Sequence, residues 1–316
     1  MTEVTEKQGS PKQVTSARLI SETVAEDRKR LAAHLESYFE RYIGTEGPAH
    51  HALYEAMQYS LKAGGKRIRP VLLLQTCKAF GGSMERAMPF AAAIEMIHTY
   101  SLIHDDLPCM DDDDLRRGKP TNHVVFGEDM AVLAGDGLLN LAAETMAGAL
   151  LIEETNVKSI RAMHEILKAS GSNGMILGQV ADIKYGASDM TLEKLDFINA
   201  NKTGKLLTAA LVAGALLGGA DDESVEKMRR IGYEMGLLFQ VVDDVLDLIG
   251  DPEKLGKRTQ MDVKNEKCTY PMLIGIEGAK AQIVTYTEHL MDMANDLPGD
   301  MTYLKAMIQY LAERDR

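Results

Sequence analysis

Tryptophan is absent from the 316 residues, and aromatic side chains of all kinds make up only 5%. No stretch alternates apolar and polar residues long enough to propose a sustained strand. With 45% apolar residues and abundant Met and Ala, the composition is that of a helical protein. Positive charge is also in deficit: 35 Lys and Arg against 47 Asp and Glu leave a net charge of −12. That argues against nucleic acid or an anionic membrane surface as partner, but leaves open an anionic substrate met by cations and local basic residues. Cysteine is scarce. Cys77, Cys109 and Cys268 show no metal-ligand spacing and no secretory context, so free thiols in a reducing, cytoplasmic setting are expected. The first twenty residues lack the basic start and apolar core of a secretory signal. No run reaches the roughly 18–20 apolar residues that span a bilayer. The best candidate, Ala209 to Ala220, is short and broken by small residues, and reads as a tightly packed core helix.

What the chain does have is carboxylate in two places. Asp105, Asp106 and Asp111 to Asp114 put six aspartates within ten residues at the end of an apolar helix, which Pro108 is expected to stop. Such a cluster repels itself and opposes the helix macrodipole, so it calls for a compensating cation. A solvated acidic loop is the plainer account. Against it stands a second cluster, Asp243-Asp244-Val-Leu-Asp247, closing another apolar helix over Asp222 to Ile249. Asp243 and Asp247 are one turn apart there, a repulsive spacing on a bare helix.

Basic residues follow each cluster or precede a helix. Lys66-Arg67-Ile68-Arg69-Pro70 places Lys66 and Arg69 beside a helix N-terminus, a natural anion site, although a plain basic connector fits as well. His98, Ser101 and Asp105 share one helix face. Arg116-Arg117-Gly118-Lys119-Pro120 supplies a basic loop that could also balance the nearby aspartates. Further helices are expected over His51 to Ala63, Pro70 to Phe80 with Ser83 capping the next, Glu128 to Leu151, Val157 to Tyr185 and Thr191 to Ala200. Lys202 and Thr203 then interrupt two apolar stretches, where a solvated turn suffices. The stripe Leu31, Leu35, Phe39 and Ile43 marks an early helix, and two helices parted near Pro298 end the chain. The reading is all-α: a disordered tail over residues 1–15 and one helical domain over 16–316.

Taken together, Lys66 to Pro70, Asp105 to Asp111, Arg116-Arg117, Lys202-Thr203, Phe239-Gln240, Asp243 to Asp247 and Lys267-Cys-Thr-Tyr-Pro271 resemble, in order, the trans-prenyltransferase (short-chain polyprenyl diphosphate synthase) family, most closely its bacterial farnesyl-forming type. The resemblance spans about residues 50 to 275. It implies an isoprenoid-synthase-type bundle of about ten or more helices around a central cavity. The activity implied is Mg²⁺-dependent head-to-tail condensation of isopentenyl diphosphate with an allylic diphosphate, dimethylallyl or geranyl. An allylic cation forms as diphosphate leaves, the alkene attacks it, and a proton is lost. The resemblance assigns three Mg²⁺ ions to Asp105, Asp106, Asp111 and Asp243, with Asp244 and Asp247 acting more through metal-bound water. Mg²⁺ commonly bridges carboxylates to substrate phosphates. Arg116, Lys202, Lys257 and Lys267 are expected on the allylic diphosphate, and Lys66, Arg69, His98 and Arg117 on isopentenyl diphosphate. Thr203, Gln240 and the Lys202 carbonyl would stabilise the cation. Tyr100 and Ser101, just before the first motif, would set chain length, and the Tyr100 ring favours a farnesyl product over geranylgeranyl. A homodimer is expected by family analogy.

Three alternatives read differently. A class I terpene cyclase predicts a second motif of Asn, Ser and Glu type and no separate cationic site, whereas this chain has a second aspartate motif with Lys66 and Arg69. A calcium loop over Asp111 to Asn122 fails at its sixth position, Arg116, and its twelfth, Asn122. A non-catalytic, acidic metal-binding partner subunit predicts decayed aspartate motifs, and both are intact.

Overall fold

A computed structural model of the chain describes residues 11–40, 47–152, 156–186, 189–249 and 268–314. It is helical almost throughout, as composition predicts. The elements are α1 (Pro11–Glu40), α2 (Gly47–Leu61), α3 (Ile68–Ala79), α4 (Met84–Asp105), β1 (Leu115–Arg116), β2 (Lys119–Pro120), α5 (Asn122–Phe126), α6 (Glu128–Ile152), α7 (Val157–Ser170), α8 (Met175–Lys184) and α9 (Leu192–Asn199). A π-helical turn (Ala200–Gly204) then leads into α10 (Lys205–Gly218), α11 (Asp222–Ile249), α12 (Tyr270–Asn295) and α13 (Thr302–Glu313).

The core is built on α10, which is apolar all round and buried from Leu206 to Leu216, as a central helix must be. It touches α3, α4, α7 and α11, while α4 packs along α6 and α12 and α13 close over α11. Small residues set the spacing. A Cβ on Gly214 would lie 2.5 Å from the Leu73 carbonyl oxygen, so α3 and α10 meet at backbone distance. Each fully buried Leu or Ile here contributes about 1.5–3 kcal/mol by leaving water, and Leu211→Ala would cost about 2–5 kcal/mol through transfer and cavity terms. Ser83 caps α4, its hydroxyl accepting the Arg86 amide.

Two expectations need correction. The span from Val157 to Tyr185 is two helices, because the chain folds back at Gly171 to Gly174. A Cβ on Gly174 would lie 2.1 Å from the Ala169 carbonyl oxygen, so glycine alone fits the reversal. The segment around Lys202 and Thr203 is the π-helical turn rather than a solvated turn, with Ala200, Asn201 and Gly204 buried. The basic loop after the first aspartate motif is a minimal hairpin. Leu115 pairs with Pro120 and Arg116 with Lys119, and Arg117 and Gly118 both have positive φ, as a two-residue type I′ turn requires. The helix α1 begins at Pro11, and residues 1–10 lie outside the described residues. Among the described residues, no helix is long and apolar enough to cross a membrane.

Candidate active site

The glycines that tighten the bundle also aim the polar residues. Gly178 on α8 sits over the π-helical turn so closely that a Cβ would lie 2.2 Å from the Lys202 amide nitrogen, and Gly236 on α11 faces Gly204 in the same way. The turn is thus clamped between α8 and α11, with Lys202 and Thr203 projecting into a cavity of about 500 Å³. Asp111, Asp182, Gln240 and Asp244 line the same space.

The Lys202 ammonium donates to Asp182 at 2.6 Å. Burial works against its charge, but Asp182 and Asp105 outweigh that and raise its pKa. Thr203 Oγ1 lies 3.4 Å from Gln240 Oε1. The Gln240 amide donates to Asp244 at 3.2 Å, and the backbone N–H of Tyr270 donates to the other Asp244 oxygen at 3.0 Å. A buried carboxylate thereby fixes the amide, and the amide turns its oxygen towards the threonine.

At the end of α4, burial pushes the Asp105 carboxyl up to about 6. Lys202 opposes this and Asp111 reinforces it. Asp106 is buried, and the hairpin brings Arg116 onto it, with Nε at 2.7 and 2.8 Å from the two carboxylate oxygens. Burial raises the Asp106 pKa while Arg116 holds it back. Arg116 therefore satisfies the local charge-balance role. At the end of α11, Asp244 and Asp247 are buried, and Asp243 pairs at 2.8 Å with Arg314, just beyond α13. Among the described residues, no three acidic, His or Cys side chains converge closely enough to cage a metal alone.

A second polar cluster lies at the start of α3. Arg67 opens the helix with a left-handed φ of 52° and pairs with Glu95, a buried acid on α4. Arg117, at the hairpin tip, donates to the Gly64 carbonyl and lies flat against Gly65, where a Cβ would meet its guanidinium at 2.5 Å. Arg69 is held down to about 10 by burial against the pull of Glu95, and its Nε is buried without a partner among the described residues. Burial, then the charges of Arg69 and Arg117, hold His98 well below its ordinary pKa, so it is neutral at pH 7. Lys66, exposed, borders the same segment.

Tyr100 is buried on α4, edge-on to His104 with ring centroids 5.8 Å apart. His104 in turn fills the space over Gly135, where a Cβ would lie 2.1 Å from its Nε2. Ser101 spends its hydroxyl on the His98 carbonyl at 2.9 Å. Lys257 and Lys267 lie outside the described residues. Sequence reasoning gave no role to Glu95, Asp182 or Arg314. Glu95 left a trace as an acid on an apolar helix face, and Asp182 as the residue one turn after Gly178. Nothing local marks Arg314.

A helical bundle with two helix-end aspartate motifs and a cationic cluster beside the first suits an enzyme that takes an anionic substrate together with cations. The polyprenyl synthetase family model matches residues 50–308, and the chain belongs to that family: it is a prenyltransferase of isoprenoid biosynthesis. It is 43% identical over 292 residues to farnesyl diphosphate synthase of Bacillus subtilis, covering 92% of this chain and 97% of that protein. It is 50% identical over 270 residues to geranylgeranyl pyrophosphate synthase 7, chloroplastic, of Arabidopsis thaliana, covering 83% and 76% respectively. Among solved structures, a geranyltransferase from Legionella pneumophila superposes with a TM-score of 0.82 at 31% identity, covering 95% of this chain and 99% of that one.

Proposed function

We propose that the enzyme condenses isopentenyl diphosphate head to tail with dimethylallyl and then geranyl diphosphate, releasing farnesyl diphosphate. The observation that carries this reading is the facing of the two aspartate motifs, through Asp111 and Asp244, across one cavity that also receives Lys202, Thr203 and Gln240. Asp105, Asp106, Asp111 and Asp243 would hold divalent cations, with Asp244 and Asp247 in a less direct supporting role. The fit is chemical: the donors are hard carboxylate oxygens, and burial holds Asp105 near 6, an acid poorly served without a cation. Carboxylates divided between two helix ends suit Mg²⁺, which takes one or two carboxylates and fills its remaining positions with phosphate oxygens and water. When bound, the metal neutralises charge developing on the departing diphosphate.

Lys202, which lines the same cavity, would bind the allylic diphosphate, with Arg116 reaching it on release from Asp106 and with Lys257 and Lys267 as further candidates. The Thr203 hydroxyl, the Gln240 carbonyl oxygen and the Lys202 carbonyl direct dipoles at the allylic cation. Lys66, Arg69, Arg117 and neutral His98 bind isopentenyl diphosphate through charge-assisted and imidazole N–H bonds. Its alkene attacks the cation, the new carbon–carbon bond replaces the broken carbon–oxygen bond, and the proton leaves with the diphosphate. The test is incubation with isopentenyl diphosphate, dimethylallyl diphosphate and Mg²⁺, followed by chain-length analysis after dephosphorylation. No elongation by folded protein would refute the reading.

Tyr100 supports the fifteen-carbon product. It lies five residues before Asp105, about 7.5 Å back along α4, buried and edge-on to His104, which itself packs over Gly135. Identity of 50% to a plant geranylgeranyl synthase favours a second reading, a twenty-carbon product. Tyr100→Ala is expected to move the main product from farnesol to geranylgeraniol; a wild type already making geranylgeraniol would refute the steric role. A homodimer is the proposed assembly, with Val124 and Val125 on α5 and Val132 and Leu133 on α6 as its exposed apolar face. Sedimentation velocity showing a single-chain species at micromolar concentration would exclude it.

A further inference from the structure

Arg314 is the least expected feature of the second motif. Its side chain is 1% exposed although it lies just past α13. One nitrogen, Nη2, makes both of its hydrogen bonds, to Asp243 Oδ1 at 2.8 Å and to the Phe239 carbonyl at 2.7 Å. The guanidinium carbon lies 4.1 Å from the Phe239 ring centroid, a cation–π contact. Nε and Nη1 are buried without a partner among the described residues. Among the described residues Asp243 is the one ionic partner of this buried guanidinium, beside the Phe239 carbonyl and ring, so its charge is neutralised only while Asp243 is free to pair with it.

Asp243 needs a counter-charge here because Asp244 and Asp247 crowd the same helix end. A divalent cation at Asp243 would supply that charge more strongly than a guanidinium and would repel it. We propose that Arg314 is a built-in counter-ion of the second aspartate motif, displaced when a divalent cation binds at Asp243, so that metal loading is coupled to release of the end of α13. The inference rests on the reading of Asp243 as a metal ligand. Arg314 acts through Asp243 and is a positioning residue.

Because the exchange is competitive, removing the guanidinium should help the metal. Mn²⁺ is titrated into the full chain, wild type and Arg314→Gln, with inorganic diphosphate present, and free Mn²⁺ is read by electron paramagnetic resonance. About tenfold tighter binding by Arg314→Gln is expected, together with faster amide hydrogen exchange over α13 when the wild type is loaded. Equal or weaker binding by a folded Arg314→Gln, or unchanged or slower exchange in the wild type, overturns the proposal and leaves the metal site standing. Should Arg314→Gln fail to fold, exchange in the wild type alone decides. Absence of Mn²⁺ binding by the wild type would remove the metal-site reading, and this inference with it.

Discussion

At the end of α4 the counter-charge for Asp106 comes from Arg116, on a hairpin a few residues further along the chain. At the end of α11 the counter-charge for Asp243 comes from Arg314, far along the sequence, just beyond α13. Both helices end in carboxylates that repel one another and oppose the macrodipole, and in both an arginine takes up part of the excess. The difference lies in what each arginine is tied to. Arg116 travels with its aspartates, since the type I′ turn fixes the hairpin locally. Arg314 arrives only once α13 has packed on α11, so the second motif depends on tertiary structure for its neutrality. The first motif is therefore the self-contained one, and the second is open to long-range control.

The largest effect should come from removing a carboxylate from either side of the cavity. Asp105→Asn and Asp244→Asn are each expected to lose about 10²–10⁴-fold in kcat/KM with geranyl and isopentenyl diphosphates. Neither should lose thermal stability without metal through electrostatics, because each removes a charge from a repelling cluster. If only the first motif's variant lost activity, the two would not be equivalent partners in one site, and the comparison would break.

The cationic cluster is the mirror image of the motifs: arginines gathered around one acid. Glu95→Gln leaves Arg67 without its buried partner, at a stability cost of about 3–5 kcal/mol. In the surviving fold the KM for isopentenyl diphosphate should rise about tenfold, with the allylic KM unchanged. Equal changes in both KM values would mean that Glu95 supports the bundle generally rather than this cluster.

The legibility of these features follows the range of the interactions behind them. Asp105 to Asp111 and Asp243 to Asp247 stand out because like charges at helical spacing are costly wherever the chain goes. The boundaries of α11 follow from its apolar periodicity and from Gly250 and Pro252 in the sequence. Val157 to Tyr185 reads as one helix because Gly171 and Gly174 cost only about 1 kcal/mol each by propensity. The reversal there is decided by α8 meeting the Lys202 turn. The π-helical turn escapes for the same reason: Gly178 and Gly236 impose it from two other helices. Glu95 and Asp182 were visible as residues but not as partners, since a pair across helices leaves no periodic signal.

The smallest predicted effect concerns proton uptake at the first motif. Asp105 has a folded pKa of about 6, above the value near 3.9 of an unfolded aspartate, because burial disfavours its charged form. The folded state therefore binds the proton more tightly. The stability this contributes is complete below about pH 4 and is lost as pH rises through 6. Comparing wild type with Asp105→Asn cancels the other carboxylates, several of which shift the opposite way. The melting temperature of the metal-free wild type, relative to the variant, should fall by about 1–3 °C between pH 4 and pH 7. Divalent cation with diphosphate should reverse the sign, since a metal takes the ionised carboxylate and must release the proton below pH 6. Calorimetry of Mg²⁺ binding in two buffers of different ionisation enthalpy would then read proton release near pH 5 and almost none at pH 8. A difference in melting temperature that stays flat across that range would mean that Asp105 is already ionised, with Lys202 winning over burial.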